Sequence, residues 1–416
     1  MSSITASSEP APLAATARTI VFTLVGSGHF MSHLYILSLP PLFALIKADL
    51  DISYAALGLM VTMFHVATGI SQVPAGFAVD RFGARVTLIT GMLLSSVCMG
   101  ALGIADSYWI MVVLTTLAGI GNSVFHPADY AILAASVQER HLGKAFGFHL
   151  LAGNFGFAAA PILMVSLAAW FDWRTALMMV GGAGVVVGIA MMLFGRNLTA
   201  TRAAKAEPRA PDKSGVRALM SPALLVMLAF FVLIAVANSG VQTFSVTVLN
   251  QVYGISLETA NTALTVYLTA GFVGVAIGGF IADRLRRPVV VVSASMLVTA
   301  MCFGLVSAIA LPLAVLLTAM ALAGCAVGLM RPARDMMVNA ITPVGSTGKA
   351  FGFMGTGLSI GGAVAPVVFG WMIDEGSGHW VLAICAALAL LSIGSAVIVA
   401  RLSPRLDNHV ESRAVT

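Results

Sequence analysis

The sequence predicts an all-α membrane protein: twelve transmembrane helices arranged as two pseudo-symmetric six-helix bundles. Three observations predict it. The composition is 59% hydrophobic and only 9% charged, with a mean hydropathy of +0.97, whereas a soluble domain carries roughly 25% charged residues. Apolar runs of spanning length recur along all 416 residues. Finally, motifs from the first half of the chain return in the second.

Each run is long enough to cross about 30 Å of hydrocarbon as a helix. In order, they read as 19–46, 53–79, 86–105, 108–136, 145–170 and 174–195, then 222–249, 257–281, 289–308, 311–339, 350–373 and 379–400. The segment before them, 1–18, lacks a basic n-region and reads as a disordered tail, and the first helix is too long for a signal peptide. Residues 196–221, rich in Ala, Pro and basic residues, read as a solvated linker between bundles 19–195 and 222–400; 401–416 form a second tail.

Lys and Arg set the orientation. With both termini cytoplasmic, that side holds 18 of the 22 basic residues, six of them in the linker, and the other side holds Lys47 and Arg174. This asymmetry predicts a multi-pass protein of the plasma membrane, the inner membrane in a bacterium, and explains the basic pI without nucleic acid. The remaining two are Arg331 and Arg334, inside a span. Cys98, Cys302, Cys325 and Cys385 all fall within predicted helices and read as small core residues, not as a disulfide framework or a metal site.

The repeat is explicit. GFAVDRFGARVTL (76–88) matches GFIADRLRRPVVV (279–291), and GKAFGFHLLAGNFGFAAAP (143–161) matches GKAFGFMGTGLSIGGAVAP (348–366) at ten of nineteen positions. The second alignment lays LAGIGNSVFHPAD (117–129) over LAGCAVGLMRPAR (322–334), so His126 corresponds to Arg331 and Asp129 to Arg334. Parallel six-helix repeats joined by a basic linker point to a transporter whose halves rock around a site near the bilayer midplane.

GFAVDRFGAR resembles the G-x-x-x-D-R-x-G-R-R signature of the major facilitator superfamily: Gly76, Asp80, Arg81, Gly83 and Arg85 match, and Ala84 departs. In the second copy Gly279, Asp283 and Arg284 match. The resemblance implies the major facilitator fold, with these loop charges acting as gating pairs that latch the halves. It also implies that helices one, four, seven and ten line the central cavity. Gly147, Gly156, Ala160 and Pro161 on helix five are similar to the glycine-proline motif of drug and proton antiporters in that superfamily. SVFHPAD followed by GNFG resembles its fosmidomycin-resistance branch, although Ala128 occupies the place of that branch's acid and Asp129 follows it, about 100° further round the helix.

Ionisable groups inside the membrane carry the functional expectation, because each costs about 2.5–3.5 kcal/mol at a helix centre unless it faces water or a partner. The polar residues gather on the four helices that the resemblance assigns to the cavity. We take His29, His33, His126, Asn238, Gln242 and Arg331 as substrate-binding candidates, with His126 and Arg331 facing each other as symmetry-related contacts. His126, Asp129, His65 and His149 are the proton-coupling candidates, since imidazole titrates in the useful range. Arg334 and Asp335 join Asp80, Arg81, Arg85, Asp283 and Arg284 as gating candidates; Arg331 and Asp335, four residues apart, also fit a self-neutralising pair. Pro127 and Pro332 leave the carbonyls of Ser123 and Gly328 without a donor, predicting a broken helix beside the charge in both halves.

A fixed guanidinium that clamps a carboxylate or phosphonate predicts an anionic solute. The sequence thus predicts a secondary active transporter of a small organic anion, by alternating access and coupled to a proton or another cation as symport or antiport. Its partners are the solute, the coupling ion and the lipid bilayer, with no nucleic acid, no cofactor and no metal, in a monomer. Helix five and F-H-P favour the alternative, a proton-driven drug efflux pump. A metalloenzyme built on HFMSH (29–33) is disfavoured because no second H-x-x-x-H exists, and a transport-dead sensor with this fold is the remaining reading. ATP hydrolysis has no phosphate-binding G-x-x-x-x-G-K-[ST] motif to support it.

Overall fold

A computed structural model describes residues 15–138, 141–198, 220–285, 287–343 and 347–403; the tails, most of the linker and the side chain of Asp283 lie outside the described set. Among the described residues, twelve helices are long and apolar enough to span a membrane. They are α1 (Ala15–Leu50), α2 (Tyr54–Phe82), α3 (Ala84–Ile104), α4 (Tyr108–Ser136), α5 (Leu142–Trp170) and α6 (Trp173–Asn197), followed by α7 (Pro222–Gln251), α8 (Leu257–Ile281), α9 (Pro288–Ala308), α10 (Leu313–Ile341), α11 (Lys349–Asp374) and α12 (Trp380–Leu402). Odd-numbered helices start on the face that carries the termini, here the terminal face; even-numbered helices start on the distal face.

Helix ends follow local chemistry. The α2–α3 connection is one residue, Gly83, with φ +89°; only glycine takes that conformation cheaply, which accounts for its place in the loop motif. Asp172 caps α6 by accepting from the Thr175 amide and hydroxyl, and Ser221 caps α7 through the Leu224 amide. Large apolar side chains such as Phe77, Val186 and Phe280 remain exposed on the outer surface, as a lipid-facing belt requires. Four of the five tryptophans, Trp109, Trp170, Trp371 and Trp380, are exposed at the distal helix ends, the depth at which aromatic belts sit.

Two expectations about helix breaks need revision. The first span is longer than predicted and is interrupted by a 3-10 turn at Pro40–Leu42 before a short helix, Phe43–Leu50. A break beside the charge occurs in α4, where helices Tyr108–Asn122 and Phe125–Ser136 meet; α10 instead runs unbroken from Leu313 to Ile341 with Pro332 inside it. The aligned residues explain the difference. Ser123 turns its hydroxyl onto the Ile120 carbonyl at 2.7 Å, diverting a backbone acceptor. Its counterpart Gly328 has no such side chain and lies against the Gly271 backbone of α8.

Backbone-to-backbone packing without side chains recurs where the halves meet. Gly58 of α2 abuts the Pro366 carbonyl of α11, and Gly370 of α11 abuts the Tyr54 carbonyl of α2, the small-residue approach that membrane helices use in place of a hydrophobic driving force. Thr62 donates to the Ala363 carbonyl at 2.6 Å along the same seam.

Candidate functional site

The chemistry of α10 resolves into separate tasks. Arg334 donates from Nε and Nη2 to Asp335 Oδ1 at 2.9 and 2.8 Å, and its guanidinium lies 4.4 Å from the Phe231 ring of α7. Asp335 is therefore taken by its neighbour and not by Arg331. Among the described residues no carboxylate lies within ion-pairing distance of Arg331, which borders a cavity of about 360 Å³ between the bundles. Around it stand Asn238 and Gln242 of α7, His65 and Gln72 of α2, and Ser359 of α11. Asn238 is held in place by the Tyr267 hydroxyl at 2.9 Å. The volume suits a small organic molecule.

The distal end of this cavity is shut. Asp374, the last residue of α11, accepts from the Tyr54 and Ala55 amides of α2 at 2.8 Å each, and Lys47 Nζ lies 3.9 Å from the same carboxylate. Phe43 and Phe244 close α1 on α7, their ring centroids 5.5 Å apart. Towards the terminal face the cavity continues into a gap of about 690 Å³ between α2 and α11, sharing His65, Gly69, Gln72 and Ser359 and reaching Val73 and Phe351. The residues expected to gate that face make no hydrogen bond or ion pair with the other bundle among the described residues: Asp80, Arg81 and Arg284 are exposed, and Arg85 donates within its own half to the Met192 carbonyl at 2.8 Å.

A second polar cluster lies inside the first bundle. Asp129 of α4 is fully buried, with Oδ2 3.5 Å from His29 Nδ1 of α1 and 3.7 Å from His149 Nδ1 of α5. The His29 and His149 rings stack at 3.5 Å, His33 lies 4.4 Å from His29, and His126 lies 5.5 Å from His29 between centroids. Such crowding needs a missing side chain on α5: a Cβ at Gly153 would stand 2.8 Å from both His29 Nε2 and His33 Cε1. This gives the GNFG stretch a packing role. Ser32 and Asn122 bond at 2.6 Å nearby and join α1 to α4.

The predicted residues thus fall into two groups. Arg331, Asn238, Gln242 and His65 border the central cavity, whereas His29, His126, His149 and Asp129 converge in the first bundle, and His33 lies beside them against Phe157. Sequence reasoning missed Asp374, because nothing in the chain ties residue 374 to an amide at 54. It also missed Gln72 and Ser359; their signal was polarity within apolar helices outside the four expected to line the cavity. The expectation of no metal ligands rested on sequence spacing, yet the ligand nitrogens of His29, His126 and His149, drawn from three helices, lie within 4.8 Å of one another.

Comparison with known proteins agrees with this architecture. The family model for the Major Facilitator Superfamily matches residues 25–260 and 228–414. The chain is 26% identical over 258 residues to the membrane sensor protein UhpC of Escherichia coli, covering 58% of this chain and 59% of the sensor, under two thirds of its length. It is 24% identical to the fosmidomycin resistance protein of E. coli (68% of this chain, 72% of that one) and 25% identical to the multidrug resistance protein MdtH of Salmonella newport (77% and 80%). The fold is similar to that of a bacterial homologue of the human lysosomal transporter Spinster, solved inward-facing and unoccupied, with a TM-score of 0.75 at 15% identity over 95% of this chain and 97% of that one. With twelve spanning helices, a duplicated bundle and matches along both halves, the chain belongs to the Major Facilitator Superfamily, a transporter family and not an enzyme family.

Proposed function

We propose that this chain moves a small organic anion across the membrane by alternating access, with Arg331 as the principal contact and a proton as the coupling ion. The observation that carries the reading is the Arg331 guanidinium at the inter-bundle cavity, with Asp335, the carboxylate four residues away, committed to Arg334. A permanently charged group without a carboxylate partner there favours a ligand that brings the counter-charge, and Gln242 and Ser359 add hydrogen-bonding capacity. Asp80, Arg81, Arg85, Asp283 and Arg284 are assigned to the terminal-face gate, to engage when that face closes. Basic-residue asymmetry makes the terminal face cytoplasmic in a bacterial inner membrane, so the state described above is inward-open.

Coupling is assigned to Asp129 with His29 and His149, a carboxylate and two imidazoles from three helices of one bundle. Loss of solute-driven proton movement in Asp129→Asn with solute binding intact is the expected result; undiminished proton flux removes the assignment.

A thermal-shift screen of the purified protein against organic acids, phosphonates and cationic drugs tests the anion reading, because a ligand stabilises the folded state it binds. Stabilisation by an acid or phosphonate that disappears in Arg331→Gln is expected. Stabilisation by cationic drugs alone would replace the anion with efflux of an amphiphile, a reading that the apolar-lined gap between α2 and α11 favours. Similarity to a resistance protein and to a multidrug resistance protein points the same way. Binding without flux in proteoliposomes would place the chain with sensors.

A further inference from the structure

The glycines of α2 and α11 record how these two helices part. At the distal end the backbones touch, Gly58 against the Pro366 carbonyl and Gly370 against that of Tyr54. Near mid-span a Cβ on Gly69 would still meet Ser359 Oγ at 3.6 Å, whereas one on Gly355 or Gly352 would find nothing within 4 Å. Beyond the Gly69–Ser359 contact the helices therefore diverge towards the terminal face, and the space between them is the gap of about 690 Å³. Along α11 it runs from Ser359 to Phe351, about 12 Å at a rise of 1.5 Å per residue.

The gap and the central cavity differ in chemistry. The cavity holds the Arg331 guanidinium with the amides of Asn238 and Gln242. The gap is walled by Val66, Val73, Phe351 and Ile360 and carries no Lys, Arg, Asp or Glu among the described residues; its Thr356 hydroxyl is spent on the Phe353 carbonyl at 2.6 Å. Ile70 and Val73, well inside the α2 span, are 72% and 68% exposed, so the gap opens sideways onto hydrocarbon. The opposite seam is filled, with Phe155 of α5 and Phe272 of α8 5.9 Å apart between ring centroids.

We propose that the solute is a single-chain anionic amphiphile, its head on Arg331 in the central cavity and its alkyl chain leaving sideways through the α2–α11 gap. The inference rests on the anion reading above and adds the tail. A fixed cation takes the negative head, and an uncharged furrow of aliphatic and aromatic side chains takes a chain that needs no directional partner. Gln72 borders both spaces and stands at the neck, where its amide bonds the polar end while the chain turns out past Val73. Because the Gly69–Ser359 contact closes the furrow on its distal side, the chain enters from the leaflet on the terminal face.

The test uses the full-length protein in phosphatidylcholine nanodiscs, with dodecyl phosphate carrying a diazirine on its last carbon as the probe. After irradiation, mass spectrometry should find the label concentrated on residues 66–73 and 351–360. Labelling should fall sharply in Arg331→Gln and under excess butyl phosphate, and should resist dodecyltrimethylammonium, which has the same tail on a cation. In thermal-shift titrations, unmodified dodecyl phosphate should half-saturate at a concentration at least ~10-fold below butyl phosphate, a ratio that burial of a few methylenes supplies. Gly355→Phe, whose new side chain enters open space and fills the furrow, should bring that ratio close to one. Label spread evenly over the lipid-facing helices, unchanged in Arg331→Gln, or displaced equally by the cation overturns the inference, and the label map decides alone if Gly355→Phe fails to fold. Arg331-dependent stabilisation by butyl phosphate without label in the gap removes the tail and leaves the anion reading standing; Arg331-independent behaviour of both phosphates removes both.

Discussion

Removing the Asp374 carboxylate should release the distal face. The first four amides of a helix have no partner within it, and at the start of α2 they are shared out. Tyr54 and Ala55 donate to Asp374 of the opposite bundle, while Ala56 donates to the Ser53 hydroxyl and Leu57 to the Ser53 carbonyl. A helix cap is thus supplied across the interface between the bundles, and it exists only while the distal face is closed. On opening, water replaces the carboxylate, so each bond contributes its net value of about 1 kcal/mol, together about 2 kcal/mol in favour of the closed face. Lys47, at 3.9 Å and partly exposed, adds little once salt screens it.

Asp374→Ala should therefore shift the equilibrium between distal-closed and distal-open states by about 30-fold, from 1.36 kcal/mol per factor of ten. Asp374→Asn, which keeps one acceptor, should shift it by about fivefold on the same scale. Spin labels on Asp106→Cys and Glu258→Cys, at distal ends of the two bundles in a background with the native cysteines replaced, would report the change by electron-electron resonance. A second, longer distance population should grow in Asp374→Ala and persist at high salt. Identical distance distributions with and without the carboxylate would refute the reasoning.

Other outcomes follow from single contacts. Arg331→Lys, which keeps the charge and loses the planar fork, should weaken anion binding by roughly 10- to 100-fold, the worth of one or two charge-assisted hydrogen bonds, as measured by ligand-induced thermal shift. Gly153→Ala places a methyl against two imidazole rings and should destabilise the protein by about 1–3 kcal/mol, visible as earlier thermal unfolding, whereas Gly147→Ala, with nothing around it, should be silent. Asp172 accepts from the Thr175 hydroxyl and amide, bonds that hold its carboxyl below the usual value of 3.8. A depressed carboxylate contributes stability that is complete above 3.8 and is lost as pH falls through the lowered value; acid unfolding curves of Asp172→Asn should accordingly be flatter than wild type below pH 3.8 and parallel to it above.

Span number, span order and the repeat were legible in the chain because each rests on composition over twenty or more residues, where local exceptions average out. Single-residue geometry was less legible. The pairing of Asp335 depended on rotamer and neighbour, and spacing favoured Arg331 at i−4, yet adjacent Arg334 reaches the carboxylate with two nitrogens. Equal prolines gave unequal helices because Ser123 and Gly328, aligned in the repeat, differ by a hydroxymethyl side chain. The histidines were each visible as titratable groups inside predicted spans. Their convergence was not, since α1, α4 and α5 meet through long-range packing and Gly153 supplies the room.

The unequal endowment of the two repeats bears on what each half can do alone. A chain built by fusing two copies of the first half would hold the backbone arrangement and two imidazole nests, with no fixed cation facing the pathway. Two copies of the second half would hold two guanidinium groups at position 331 and no imidazole cluster, because the first half carries His126 there, packed beside His29 and Tyr130. The halves share a helix order and differ in the chemistry they carry, so neither can stand in for the other.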